Sequence, residues 1–193
     1  MEIIFLPKDI SSEDMMNEDI SKLMAESKDF ELLKRDFESI DKEYDIKSVN
    51  LGKGADFILL WAIFTGLGSL FLMGDKIEKN IEAWSKIGKR IKKILKRSNA
   101  SYIDRDAAIF LCIDYLYNKY KTTSIQLRQD AKFSLDDLSQ MMSDRESKDF
   151  IANPYSVYFF HFDINNMERE IICVRSDGKL KCLEKYNDYN FFF

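Results

Sequence analysis

Two periods of hydrophobic and polar residues run along this chain. Glu2-Ile3-Ile4-Phe5-Leu6 is a short apolar stretch stopped by Pro7 and reads as a strand. Ser11-Ser12-Glu13-Asp14 then supplies small polar caps and acids. Such residues favour a helix start, because their oxygens satisfy open N–H groups and negative charge suits that end of the helix dipole. Ile20, Leu23, Met24, Phe30, Leu33, Phe37 and Ile40 recur at three- and four-residue spacing, which predicts helix with a break at Ser27 to Asp29. Tyr44 to Val49 predicts a second strand, ended by Gly52-Lys53-Gly54.

Residues 57–73 carry no charge. The stretch predicts an apolar helix at the lower limit of the roughly 17–25 residues a membrane-spanning helix needs. Ala62 with Gly66, and Thr65 with Ser69, place small residues four apart, the spacing that lets two helices approach closely in lipid and allows a homo-oligomer through residues 62–69. A second reading makes the stretch a buried core helix over a sheet formed by residues 2–6 and 44–49.

Residues 75–97 change character at once. Ile77, Ile81, Trp84, Ile91 and Leu95 fall on one helical stripe, surrounded by Lys76, Lys79, Lys86, Lys89, Arg90, Lys92, Lys93, Lys96 and Arg97. That is the pattern of a basic amphipathic helix lying on anionic lipid or in an acidic groove. Ser98-Asn99-Ala100-Ser101 follows as a boundary. Beyond it the pattern predicts a helix from Asp104 to Tyr120, an extended piece from Ser124 to Gln129, and a helix starting at Ser134 with Asp137 at capping-box spacing. A meander of three strands closes the chain: Tyr155 to Ile164, Glu168 to Arg175 and Lys179 to Tyr186.

Composition adds two constraints. With 46% apolar residues, 32% charged and two prolines, the chain is too hydrophobic for disorder. The net charge of −4 conceals an asymmetry: 15 acidic and 8 basic residues in 1–56, 3 and 9 in 75–97, 15 and 12 in 98–193. The basic segment is therefore local, and the acidic remainder disfavours nucleic acid as a partner.

Candidate chemistry is sparse. His161 is the only histidine and has no neighbouring motif that orients a general base, so a structural role is expected. The strand register brings it nearer Glu170 than Cys173 or Cys182, which speaks against a metal site. Cys112, Cys173 and Cys182 form an odd set without a CxxC, no cleavable leader is read at Met1 to Phe5, and reduced thiols in the cytoplasm follow. A two-residue turn at Asp177-Gly178 would set Cys173 opposite Cys182, and a shift of one residue would separate them. Gly52-Lys53-Gly54 lacks the spacing of a phosphate loop. Glu184-Lys185 places an acid and a lysine on opposite strand faces, which a nuclease hairpin does not use.

The order of strand, helix, strand, a glycine-bearing apolar helix (Gly54-Ala55-Asp56-Phe57-Ile58-Leu59-Leu60-Trp61) and an amphipathic helix resembles the effector-associated constant component family. These are small non-enzymatic accessory domains of bacterial conflict systems. The resemblance covers residues 1–97, rests on layout, and does not reach the C-terminal hairpins. It implies an adaptor beside a separate effector and transfers no functional residue.

The sequence thus predicts an α+β protein in two parts: 1–97, a strand-helix-strand unit with a central apolar helix (57–73) and a basic amphipathic helix (75–97), and 102–193, helices with a three-stranded antiparallel meander. The expected role is a non-enzymatic, membrane-associated regulatory or effector component, at or in the inner face of the cell membrane. The alternative is a protein-interaction adaptor with 57–73 buried. No cofactor or metal is expected. Trp61, Gly66, Gly68, Trp84, Lys89, Arg90, Lys92, Lys93 and Lys96 are the expected binding residues, facing an anionic membrane surface or an acidic protein partner.

Overall fold

The computed structural model describes residues 1–50, 58–67, 76–134 and 154–187. The described elements are mixed α+β, with two antiparallel sheets and five helices. Strand β1 (Glu2–Pro7) is followed by helices α1 (Ser12–Asn17), α2 (Ile20–Glu26) and α3 (Lys28–Glu38), then strands β2 (Tyr44–Asn50) and β3 (Ile58–Phe64). The expected helix start is a full capping box: Ser11 Oγ accepts from Asp14 N at 3.1 Å, and Asp14 Oδ2 accepts from Ser11 N at 2.9 Å. The break at Ser27 is also physical, because its hydroxyl caps α3 by accepting from Phe30 N at 2.9 Å.

The apolar run corrects the expected helix. Ile58–Phe64 is a strand, and it lies inside the first sheet, ordered β2-β3-β1-β5, where β5 is Ser98–Ile103. Its neighbours bond both edges, with Leu60 opposite Phe5 on one side and Ser48 on the other. Leu59, Leu60, Ala62 and Phe64 are buried. A strand covered on both faces is apolar at every position, so it has no period by which to tell it from a buried helix. Thr65 and Gly66 turn the chain immediately after it, and residues 68–73 lie outside the described residues. On one face of this sheet the Phe37 ring of α3 stands 5.1 Å from Phe5 and 5.7 Å from Phe64; on the other, Ile4 and Leu59 are equally buried. Burying each such side chain contributes roughly 1.5–3 kcal/mol, without lipid.

The second sheet, β4-β6-β7-β8-β9, is larger than the three strands expected. It comprises β4 (Lys76–Ile77), β6 (Ile125–Ser134), β7 (Ser156–Ile164), β8 (Glu168–Arg175) and β9 (Leu180–Asn187). Ser134, expected to open a helix, ends β6; the rest of that expected helix lies outside the described residues. Asn165 and Asn166, both with positive φ, make the tight turn from β7 to β8. The β8–β9 turn closes instead over Ser176, Asp177 and Gly178, with Gly178 at φ +82°. The register therefore pairs Cys173 with Lys181 and Ile172 with Cys182, and all three cysteines are free thiols. His161 sits opposite Ile171 on the outer face, while Glu170, one position along β8, points inward.

Helices α4 (Ile81–Lys96) and α5 (Arg105–Tyr120) join the two sheets. Asp104 caps α5 by accepting from Ala107 N at 2.8 Å. Ala107 to Ile113 are all buried, so α5 is an interior helix, and it touches β1, β5, β7 and β8. Ser98–Ser101, expected as a boundary, is part of β5 at the edge of the first sheet. Ile103 N donates across to Ser176 O at 2.8 Å, and Tyr158 Oη donates to Ile103 O at 3.0 Å. One hydrophobic core takes residues from both expected parts.

Candidate functional site

Helix α4 carries most of the residues singled out by sequence. Its apolar stripe is spent on the fold: Ile81, Ile91 and Ile94 are buried, and Trp84, Ile87 and Leu95 are half-buried against the core. Trp84 is thus a packing residue. The crossing with α5 is close because Gly88 and Ser85 lie between the two axes. A Cβ on Gly88 would fall 2.3 Å from the carbonyl oxygen of Phe110.

The basic residues of α4 divide into two groups that charge counting cannot separate. Lys92 turns inward and donates to Asp114 Oδ2 at 2.6 Å, and the same carboxylate, 3% exposed, accepts from Ser85 Oγ at 2.9 Å and Asn118 Nδ2 at 2.8 Å. Arg90 reaches Asp36 of α3 at 3.6 Å, and Arg97 binds that carboxylate directly, with Asp36 only 8% exposed. These three cations neutralise two carboxylates drawn out of water, whose isolated charge would be costly. They serve as counter-ions to those carboxylates.

The remaining lysines face outward. Lys86, Lys89, Lys93 and Lys96 follow one another at three- and four-residue spacing, and all are exposed. Lys86 makes an exposed pair with Glu82 at 2.8 Å; Lys89, Lys93 and Lys96 make no ion pair among the described residues. The stripe can therefore present three uncompensated ammonium groups on a helix whose other side is bolted to α3 and α5.

The residues expected in the apolar run do not join this site. Trp61 is half-buried in β3 and donates from Nε1 to Glu2 Oε2 at 3.2 Å. Gly66 lies in the turn after β3, where a Cβ would come within 2.6 Å of Asp41 Oδ2; its smallness serves that contact, not helix pairing. Gly68 lies outside the described residues.

Two further features could have signalled chemistry. Glu170, wholly buried on β8, accepts from Lys119 Nζ at 2.5 Å and from Tyr120 Oη, and Lys185 stands 4.8 Å over the Tyr120 ring. Burial and the Glu170 charge both push the Cys182 thiol up, and burial pushes Tyr120 up, assisted by its bond to Glu170. These shifts hold both nucleophiles protonated, which suits a structural anchor between α5 and the sheet. Burial lowers His161, and no group of three or more His, Cys, Asp or Glu among the described residues could hold a metal ion. A cleft of about 740 Å³ runs between β5 and the ends of β7 and β8, and its lining contains neither histidine nor cysteine.

Asp36 and Asp114 are the residues that sequence reading missed. Asp36 shares its helix face with Leu33 and Phe37, and Asp114 follows seven consecutive apolar or small residues of α5; an acid in such a position is the available signal that a cation must come to it. No family model, curated protein or solved structure matches the chain.

Proposed function

We propose that this chain is a non-enzymatic interaction module that docks an acidic face of a partner protein on the outer stripe of α4, with Lys89, Lys93 and Lys96 as its contacts. The observation that carries this reading is the division of the basic helix. Three of its cations are consumed by Asp36 and Asp114, Lys86 pairs with Glu82, and Lys89, Lys93 and Lys96 are exposed in a row with no ion pair among the described residues. Rigid presentation favours binding because little side-chain and backbone freedom is lost beyond the lysines themselves.

An anionic membrane surface is the other receiver of such a stripe, at roughly 1 kcal/mol per lysine near the headgroups. Insertion has less to support it. The apolar stripe of α4 is packed inside, residues 58–64 form an interior strand, and among the described residues no helix is long and apolar enough to cross a membrane. The adaptor role is also what the layout resemblance of residues 1–97 implies, with strand β3 in place of the apolar helix.

The test is binding of the full chain to a glutamate-rich peptide and, separately, to phosphatidylserine vesicles, across a range of salt. Peptide binding should weaken steadily as ionic strength rises from about 0.01 to 0.15 M, where the Debye length shrinks from about 30 to 8 Å, and Lys89→Glu with Lys93→Glu should abolish it. Vesicle binding without peptide binding would replace the acidic-protein reading by the membrane one. Binding of either probe that survives both reversals would reduce the stripe to a solvated helix face.

A further inference from the structure

The first sheet has two edge strands, and they are placed differently. β2 has exposed residues along most of its length, whereas β5 borders the 740 Å³ cleft, whose far wall is formed by Tyr155, Val157, Arg175 and Asp177. Main-chain groups alternate sides along a strand. Ile103 turns its N–H and C=O away from β1, toward Ser176 O and Tyr158 Oη, while Asp104 N bonds back to Glu2 O. Two residues earlier, Ser101 must turn its own N–H and C=O the same way, into the cleft. Neither has a hydrogen-bond partner among the described residues. The Ile103–Ser176 bond is therefore the first rung of a ladder whose next rung, at Ser101, is empty.

The walls suit a chain more than a small molecule. The rings of Tyr102 and Tyr155 meet edge to face at 4.7 Å, and Tyr155 is 44% exposed, offering an aromatic surface for an alternate side chain. At the other end β5 bulges opposite Leu6 and Pro7, and there Asn99 Nδ2 donates to Lys8 O at 3.0 Å while Lys8 N donates to Arg97 O at 3.2 Å. Lys8 is thus held beside this end, exposed and with no ion pair among the described residues.

We infer that the free edge of β5 takes an extended peptide segment of a protein partner by strand addition, bonding Ser101 through its main chain and setting an acidic side chain against Lys8. Main-chain pairing supplies affinity in such complexes and the flanking surface supplies selectivity. The inference goes beyond the docking stripe and can fail separately, since it turns on backbone hydrogen bonds rather than on Lys89 and Lys93.

The probe is a blocked peptide of one glutamate followed by alternating valine and threonine, titrated into the isotope-labelled full chain while backbone amide resonances are followed. The Ser101 amide should shift and saturate. The same peptide N-methylated at alternate positions should bind roughly tenfold or more weakly, the loss expected for one or more main-chain hydrogen bonds. Ser101→Pro removes the cleft-facing N–H and should abolish binding. Should that variant misfold, Tyr155→Ala provides a second check through the loss of its ring contact. Lys89→Glu with Lys93→Glu should leave this titration unchanged. Equal binding of the N-methylated peptide, shifts confined to other surfaces, or no saturable shift would each overturn the inference.

Discussion

Lys92 Nζ stands 2.6 Å from Oδ2 of Asp114, so a cation from the most basic helix neutralises a carboxylate withdrawn almost wholly from solvent. The two ends of this pair are unequal, since the lysine side chain remains 44% exposed and the aspartate 3%. Removing the lysine leaves a buried anion; removing the anion leaves a lysine that can rehydrate. Lys92→Met should cost about 3 kcal/mol, toward the low end for a broken buried pair because Ser85 and Asn118 still donate. Asp114→Asn should cost less. Urea unfolding of both variants checks the order, and a larger loss for Asp114→Asn would contradict it.

Gly88→Ala sets two effects in opposition. Alanine favours a helix by about 1 kcal/mol over glycine, but its Cβ would meet the Phe110 carbonyl oxygen at 2.3 Å, and a backbone atom cannot rotate away. Separating α4 from α5 should cost more than propensity returns, giving a net loss of about 1–3 kcal/mol. A raised melting temperature for this variant would show that the two helices are not held so close.

Burial pushes the Asp104 carboxyl up to about 7, with the Met1 ammonium and the Ala107 N–H acting against it. In the unfolded chain the group titrates near 3.8. Between those values the folded state holds a proton that the unfolded state has released, so stability from this residue is complete below about pH 4, falls as pH rises toward 7, and is level above it. Asp104→Asn keeps a capping oxygen and removes the titration. Thermal melts across that window should show a smaller decline for the variant than for the parent.

Charge reversal on the stripe should separate binding from folding. Lys89→Glu and Lys93→Glu touch no internal partner, so unfolding free energy should stay within about 0.5 kcal/mol of the parent. Asp36→Ala is the converse case: it strands Arg90 and Arg97, and should lower stability while leaving the stripe intact. Equilibrium unfolding and peptide binding measured on the same samples distinguish the two outcomes.

Much of the fold is legible where a residue's role is local. Ser11 and Ser27 announce their helices through side-chain oxygens, Pro7 stops β1, and the alternation of Tyr158, Phe160, Phe162 and Ile164 gives the inner face of β7 directly. The apolar run fails this test because burial on both faces erases periodicity; its aromatic and β-branched residues and its bracketing glycines were the better guide to strand. The site is legible as far as the basic helix and no further. Lys92 and Lys93 are neighbours in sequence and carry the same charge, yet Asp114 and Ser85, supplied by the helix crossing, turn one into a counter-ion and leave the other in water. The free edge of β5 has no side-chain signature at all, since its groups belong to the backbone.

The position of β1 carries a consequence for how the molecule is made. It precedes both of its sheet neighbours in the chain: one of its flanks is completed by residues 58–64 and the other only by residues 98–103. A nascent chain must therefore keep Ile3, Ile4 and Phe5 from promiscuous association until residues 98–103 have followed, and closing such long loops makes assembly slow relative to a helical bundle of this size. Translation speed and holding chaperones should accordingly govern its yield more than the depth of its native energy minimum.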